Sequence, residues 1–183
     1  EALLTCPALA GTYTLSDSRI TQVRESNTRP ELSNQFAVFD YTIDGDTMTQ
    51  TVVSGTGGAA ASGSSLTFRR AGSSEVGSPL VGAWELVNDT WQGVAVFTGT
   101  YYAIVVMQKD RNLPSGEKYT PEEALEAIST SGTFAGTYTV SGTTVTMERT
   151  ANTRPGGVGV TAVWEFSVEG GVMKARVVSG GAP

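Results

Sequence analysis

Residues 9–55 and residues 134–180 align without a gap at one constant offset, and nothing else in the chain constrains its fold as tightly. The first copy reads LAGTYTLSDSRITQVRESNTRPELSNQFAVFDYTIDGDTMTQTVVSG; the second reads FAGTYTVSGTTVTMERTANTRPGGVGVTAVWEFSVEGGVMKARVVSG. Roughly four positions in ten are identical, well beyond chance for an ungapped pair. The substitutions keep their chemistry: Phe39 becomes Trp164, Asp40 becomes Glu165, Tyr41 becomes Phe166 and Ile43 becomes Val168. Any fold for this chain therefore contains one supersecondary unit twice.

Each copy reads as four strands. Apolar and polar residues alternate through Gly-Thr-Tyr-Thr-Val and Thr-Val-Thr-Met, interrupted by Ser16-Asp17 in one copy and Ser141-Gly142 in the other. Asp44-Gly45 and Gly170-Gly171 supply the positive-φ residues of a tight hairpin. Asn-Thr-Arg-Pro, at residues 27–30 and 152–155, ends a strand because proline has no N–H for the ladder.

Between the copies lie a Gly/Ala/Ser-rich link over 57–65, a short strand over 66–70, and a loop to Pro79. Three further strands are expected over 81–87, 93–99 and 101–108. One helix is expected near 121–129: Thr120 is the cap, Pro121 the first helical residue and Glu123 the reciprocal partner, and Ala124, Leu125 and Ile128 form an apolar face. Such a helix packs on the sheet or plugs a barrel mouth. With only 16% charged residues and abundant Thr, Ser, Gly and Val, the reading is an all-β, antiparallel barrel or sandwich of about twelve strands. It divides into an N-terminal half-barrel copy over 1–70 and a unit over 80–183 holding the helix and the second copy, or the two form one fused domain.

The chain carries 12 Lys and Arg against 18 Asp and Glu, a net charge of -6, with no basic run, so nucleic acid and anionic membranes are not expected partners. No apolar stretch reaches the length of a membrane span. The single cysteine, Cys6, allows no intramolecular disulfide and is expected to be a buried or free thiol, with an intermolecular bridge as the alternative. Glu1 reads as the start of a processed or trimmed chain. Low Lys with frequent Thr and Ser suits an extracellular or periplasmic setting.

The absence of histidine removes the usual general base, the Ser/His/Asp triad and the commonest metal ligand. Ser115 and Lys118 have the spacing of a nucleophile pair but fall in a loop ahead of the helix rather than on its first turn. Asp44-Gly45-Asp46 lacks the later oxygen ligands of a calcium loop and reads as a turn; Glu122 and Glu123 are charges favoured by a helix start. No enzyme, metal or cofactor is expected. Asn88-Asp89-Thr90 matches an N-glycan acceptor, and the Thr and Ser content permits O-glycans.

The stretch Leu80-Val81-Gly82-Ala83-Trp84-Glu85-Leu86-Val87, with Ala-Gly-Thr-Tyr-Thr-Val and the Glu169-Gly170-Gly171 hairpin after it, resembles the bacterial lipocalin-like domains over residues 80–180. Residues 9–70 resemble the second half of the same unit, ending in Leu-Thr-Phe-Arg-Arg. The resemblance implies a barrel in which an arginine of the closing strand, Arg69 or Arg70, lies over Trp84 of the first. It also implies an interior where Trp84, Trp91, Tyr101, Tyr102, Tyr138 and Trp164 fill the core or line a cavity for a small apolar ligand.

The order along the chain departs from that family. It runs second half, first half, second half again, without a second closing strand. One first half, over 80–108, meets two candidate completions, and the copy left over either curls into its own sheet or offers unpaired edge groups. The expected function is a structural subunit of an extracellular filament, assembled with itself by strand or edge complementation. The alternative is a carrier of a small hydrophobic ligand. A third reading, a histidine-free cyclase or isomerase, requires Tyr101, Tyr138, Glu85 and Glu165 to meet in one pocket.

Overall fold

A computed structural model describes residues 9–27, 35–56, 63–69, 78–87, 89–111 and 120–180. Among the described residues twelve strands form two antiparallel sheets, and one α-helix accompanies them. The chain divides into two compact units, Glu1–Ala71 with Asn112–Ala127, and Gly72–Arg111 with Ile128–Pro183.

The first sheet runs β1(Leu9–Ser16), β2(Arg19–Asn27), β3(Gln35–Asp44), β4(Thr47–Gly55) and β5(Ser65–Arg69), each paired with its predecessor. The second, a curled half-barrel, comprises β6(Gly82–Glu85), β7(Trp91–Phe97), β8(Tyr101–Gln108), β9(Ser131–Ser141), β10(Thr144–Asn152), β11(Thr161–Glu169) and β12(Val172–Ser179), again in sequential order. The single first half, β6 to β8, is therefore completed by the second copy through the β8–β9 ladder. The first copy builds its own sheet, closed on one side by β5.

The duplication holds to the level of individual irregularities. Gly11 pairs with Arg24 and Ala10 with Ser26, leaving Glu25 as a bulge; Gly136 pairs with Arg149 and Ala135 with Ala151, leaving Thr150 at the equivalent place. Val53 and Val178 are a second matched pair of bulges, between Phe39–Val52 and Val38–Ser54 in one sheet and between Trp164–Val177 and Val163–Ser179 in the other. A bulge fixes local twist and resets which face later residues occupy, so identical bulges give both copies the same inward set.

The expected turns are present. Gly45 (φ 54°) closes β3–β4, and Gly170 (φ 57°) with Gly171 (φ 79°) closes β11–β12. Both β2 and β10 end at the Asn of Asn-Thr-Arg-Pro, and in the second copy Pro155 opens a short 3-10 turn, Pro155–Gly157. The helix α1(Pro121–Ser129) begins as expected: the Thr120 hydroxyl accepts from the Glu123 N–H at 3.2 Å, and Glu123 Oε2 accepts from the Thr120 N–H at 2.7 Å.

The seven-stranded sheet buries the larger core: Leu80, Phe97, Tyr102, Ile104, Val106, Phe134, Tyr138, Val145, Met147, Ala162 and Phe166. Ring contacts run through it in sequence, Tyr138 edge-on to Phe97 (5.3 Å), Phe97 stacked with Tyr102 (6.1 Å) and Tyr102 edge-on to Phe134 (6.3 Å). The Arg149 guanidinium closes the series, 4.7 Å above the Phe134 ring. The five-stranded sheet has a small core, Ile20, Ala37, Phe39 and Val52, with Tyr41 against it.

Candidate functional site

Each sheet has two edge strands, β1 and β5 in one, β6 and β12 in the other. Two of these four are unusual, because each repeats a strand that is interior elsewhere. β1 is the copy of β9, which lies between β8 and β10; β12 is the copy of β4, which lies between β3 and β5. The sequence of each edge is therefore that of a strand flanked on both sides.

Burial records the missing neighbour residue by residue. Tyr138 on β9 is 5% exposed, whereas Tyr13, its counterpart on β1, is 66% exposed. Val52 on β4 is 4% exposed, whereas Val177 on β12 is 40% exposed. Leu15, Val172 and Val178 are also exposed apolar residues of these two strands. By contrast, positions away from the edges keep their burial in both copies, as with Ala37 and Ala162 or Ile20 and Val145.

Backbone groups tell the same story. The Val52 N–H donates to Ser64 O (2.9 Å) and its carbonyl accepts from the Gly63 N–H (2.9 Å), both on the β5 side. The same pleat turns the Val177 N–H and C=O toward the open side of β12. On β9 the Tyr138 N–H donates to Thr100 O across the side occupied by β8 (2.9 Å), so the Tyr13 N–H and C=O face the open side of β1.

On both edges the inward-facing side chains belong to the residues whose backbone groups point out of the sheet. Leu15 lies opposite Ile20 and Tyr13 opposite Gln22, so Gly11, Tyr13 and Leu15 share the core face. Val177 lies opposite Trp164, Ala175 opposite Phe166 and Met173 opposite Val168, so Met173, Ala175 and Val177 share the core face of the other sheet. The outer faces carry Thr12 and Thr14 on β1, and Lys174 and Arg176 on β12. Arg176 pairs there with Glu165 at 2.6 Å, which raises the affinity of its guanidinium for the proton.

The aromatic residues singled out by the sequence divide between core and surface. Tyr102 and Tyr138 are core residues, and Trp84, Trp91 and Trp164 pack against that core; Tyr101 is exposed on the outer face. The Trp84 indole N–H donates to Leu80 O at 2.8 Å, and the Tyr138 hydroxyl donates to Thr98 O. Burial pushes the Tyr102 hydroxyl above its ordinary pKa while the neighbouring Arg149 pulls it back; burial raises Tyr138 as well, opposed by a hydrogen bond with Ser78.

The four groups a histidine-free enzyme needs do not share a face. Tyr138 points into the core, while Tyr101, Glu85 and Glu165 alternate to the other side of the sheet. Arg69 lies on β5 and Trp84 on β6, in separate sheets. Arg70, Asn88, Cys6, Ser115 and Lys118 lie outside the described residues. The cation–π contact found is Arg149 over Phe134, which sequence reading missed. The available signal was that Arg24 and Arg149 are identical in both copies at a position alternation turns inward; both are buried.

Among the described residues no group of three or more His, Cys, Asp or Glu is placed to hold a metal ion, and no helix is long and apolar enough to cross a membrane. No family model, curated protein or solved structure matches the chain.

Proposed function

We propose that the protein is a non-enzymatic structural subunit of an extracellular assembly, whose protomers join by complementation at open sheet edges into a filament. The observation that carries this reading is the pair of edges β1 and β12, built with the sequence of interior strands and without a second neighbouring strand among the described residues. Burying an aliphatic side chain such as Leu15 or Val177 is worth about 1.5–3 kcal/mol, and each ladder hydrogen bond adds about 1 kcal/mol net. Edges of this kind are templates for another chain. The two edges differ from each other, so contact between them is heterologous and propagates unless it closes a ring.

Negative-stain electron microscopy with light scattering at near-physiological salt tests the proposal. Regular filaments are expected; a uniform particle of 19.1 kDa at all concentrations overturns it.

A lipocalin-like carrier is the second reading. The Trp164 Nε1 is buried without a hydrogen-bond partner among the described residues, on the same inner face as Tyr102 and Tyr138, where a bound molecule would supply an acceptor. Saturable quenching of tryptophan fluorescence by an apolar probe in a monomeric particle favours it over assembly.

A further inference from the structure

We infer that β12 of one copy pairs antiparallel with β1 of a second copy over Val172–Val177 and Gly11–Ser16, with Tyr13 opposite Ala175. The inference rests on the assembly reading and specifies its contact. Both strands are eight residues long. Overlap up to the Val178 bulge sets Ser16 against Val172, which places Gly11 opposite Val177, Tyr13 opposite Ala175 and Leu15 opposite Met173.

Three requirements are met in that register: the first two fix its parity, and the third separates it from registers shifted by two residues. First, the backbone groups of Gly11, Tyr13 and Leu15 and those of Met173, Ala175 and Val177 are the ones facing the open edges, so they meet as hydrogen-bonded pairs. Second, the core faces of the two sheets become continuous, and the outer faces bring Thr14 to Lys174 and Thr12 to Arg176. Third, volumes alternate across the seam: the tyrosine meets an alanine and the glycine meets a valine. A slip of one residue sets Tyr13 against Lys174 or Arg176 and turns every apolar side chain to the wrong face.

The direction is also determined. In both strands the inward-facing residues aim N–H and C=O at the open edge, so with core faces on the same side the two edges are related by rotation about the sheet normal. That relation is antiparallel. β1 and β12 of one chain belong to different sheets, and the partner inferred is a second copy.

Paired cysteines on the outer face test this. In a Cys6→Ser background, Thr14→Cys and Lys174→Cys are made as separate proteins and mixed under mild oxidation. These positions form a non-hydrogen-bonded pair, whose Cα separation of about 4.5 Å falls in the disulfide range. The expected result is a covalent dimer, at least roughly tenfold more abundant than from Thr14→Cys mixed with Ser167→Cys, an outer-face position on an interior strand. Thr12→Cys mixed with Arg176→Cys should link equally well.

Filaments from which neither pair cross-links overturn this register and leave the assembly reading standing, pointing to exchange of β5 or use of β6. Absence of both filaments and cross-links overturns both. A Thr14→Cys/Lys174→Cys double variant that links within one chain and stays monomeric also overturns the inference.

Discussion

Tyr13 and Tyr138 occupy the same position in two copies of one strand, yet Tyr138 is packed edge-on to Phe97 in the core and Tyr13 stands in solvent at a sheet edge. The difference comes from the strand beside them: β8 covers β9, and nothing among the described residues covers β1. Substitutions at the two positions should therefore have unequal effects on stability. Tyr138→Ala should cost about 3–5 kcal/mol by chemical denaturation, the range for emptying a large aromatic site. Tyr13→Lys should stay within about 0.5 kcal/mol while abolishing assembly in light scattering.

Arg149 and Tyr102 give a prediction at alkaline pH. Tyr102 and Tyr138 have pKa values raised by burial, so above about pH 10 the unfolded chain loses protons that the folded chain keeps. Stability is thus fully present below the ordinary tyrosine pKa and falls as pH rises through the raised values. Arg149→Met removes the charge that partly offsets the Tyr102 shift, so tyrosinate absorbance should show that residue titrating higher still. The same variant should lose about 1–2 kcal/mol through the contact with Phe134.

Asp17 and Gly142 sit at the same turn position, with φ of 50° and 60°. Only the glycine suits that conformation without a Cβ penalty. Gly142→Ala should cost about 1–2 kcal/mol in thermal unfolding, whereas Asp17→Gly should be neutral or stabilising by up to about 0.5 kcal/mol.

Removal of the helix cap by Thr120→Ala leaves the Glu123 N–H without its acceptor and should cost about 1 kcal/mol in the unit it stabilises. Thr120→Ser should recover most of that loss in the same unfolding measurement, because it keeps the hydroxyl.

Much of the fold was legible because local signals and the repeat agreed. The hairpin turns, the ends of β2 and β10 at Asn27 and Asn152, the capping box at Thr120 and the strand count all follow from residues acting on their immediate neighbours. What could not be read was which copy would complete β6 to β8, since Tyr13 and Tyr138 lie in nearly identical strands. Nor could ion pairing be read from the repeat. The acid shared by Asp40 and Glu165 pairs back to Arg19 on β2 in one copy and forward to Arg176 on β12 in the other, because Thr144 and Thr51 replace the arginines at the alternative places. Arg19 holds the exposed Asp40 carboxyl below its ordinary pKa through their hydrogen bond, an arrangement set across strands and invisible to local pattern.

The edges themselves are best interrogated by amide hydrogen exchange on the unmodified protein as its concentration is raised through the onset of assembly. The N–H groups of Tyr13, Leu15, Ala175 and Val177 should exchange rapidly in dilute solution and become protected by at least about tenfold in the assembly, while interior amides such as that of Val145 stay unchanged. Filaments in which those four amides exchange as fast as in dilute solution would contradict pairing at β1 and β12.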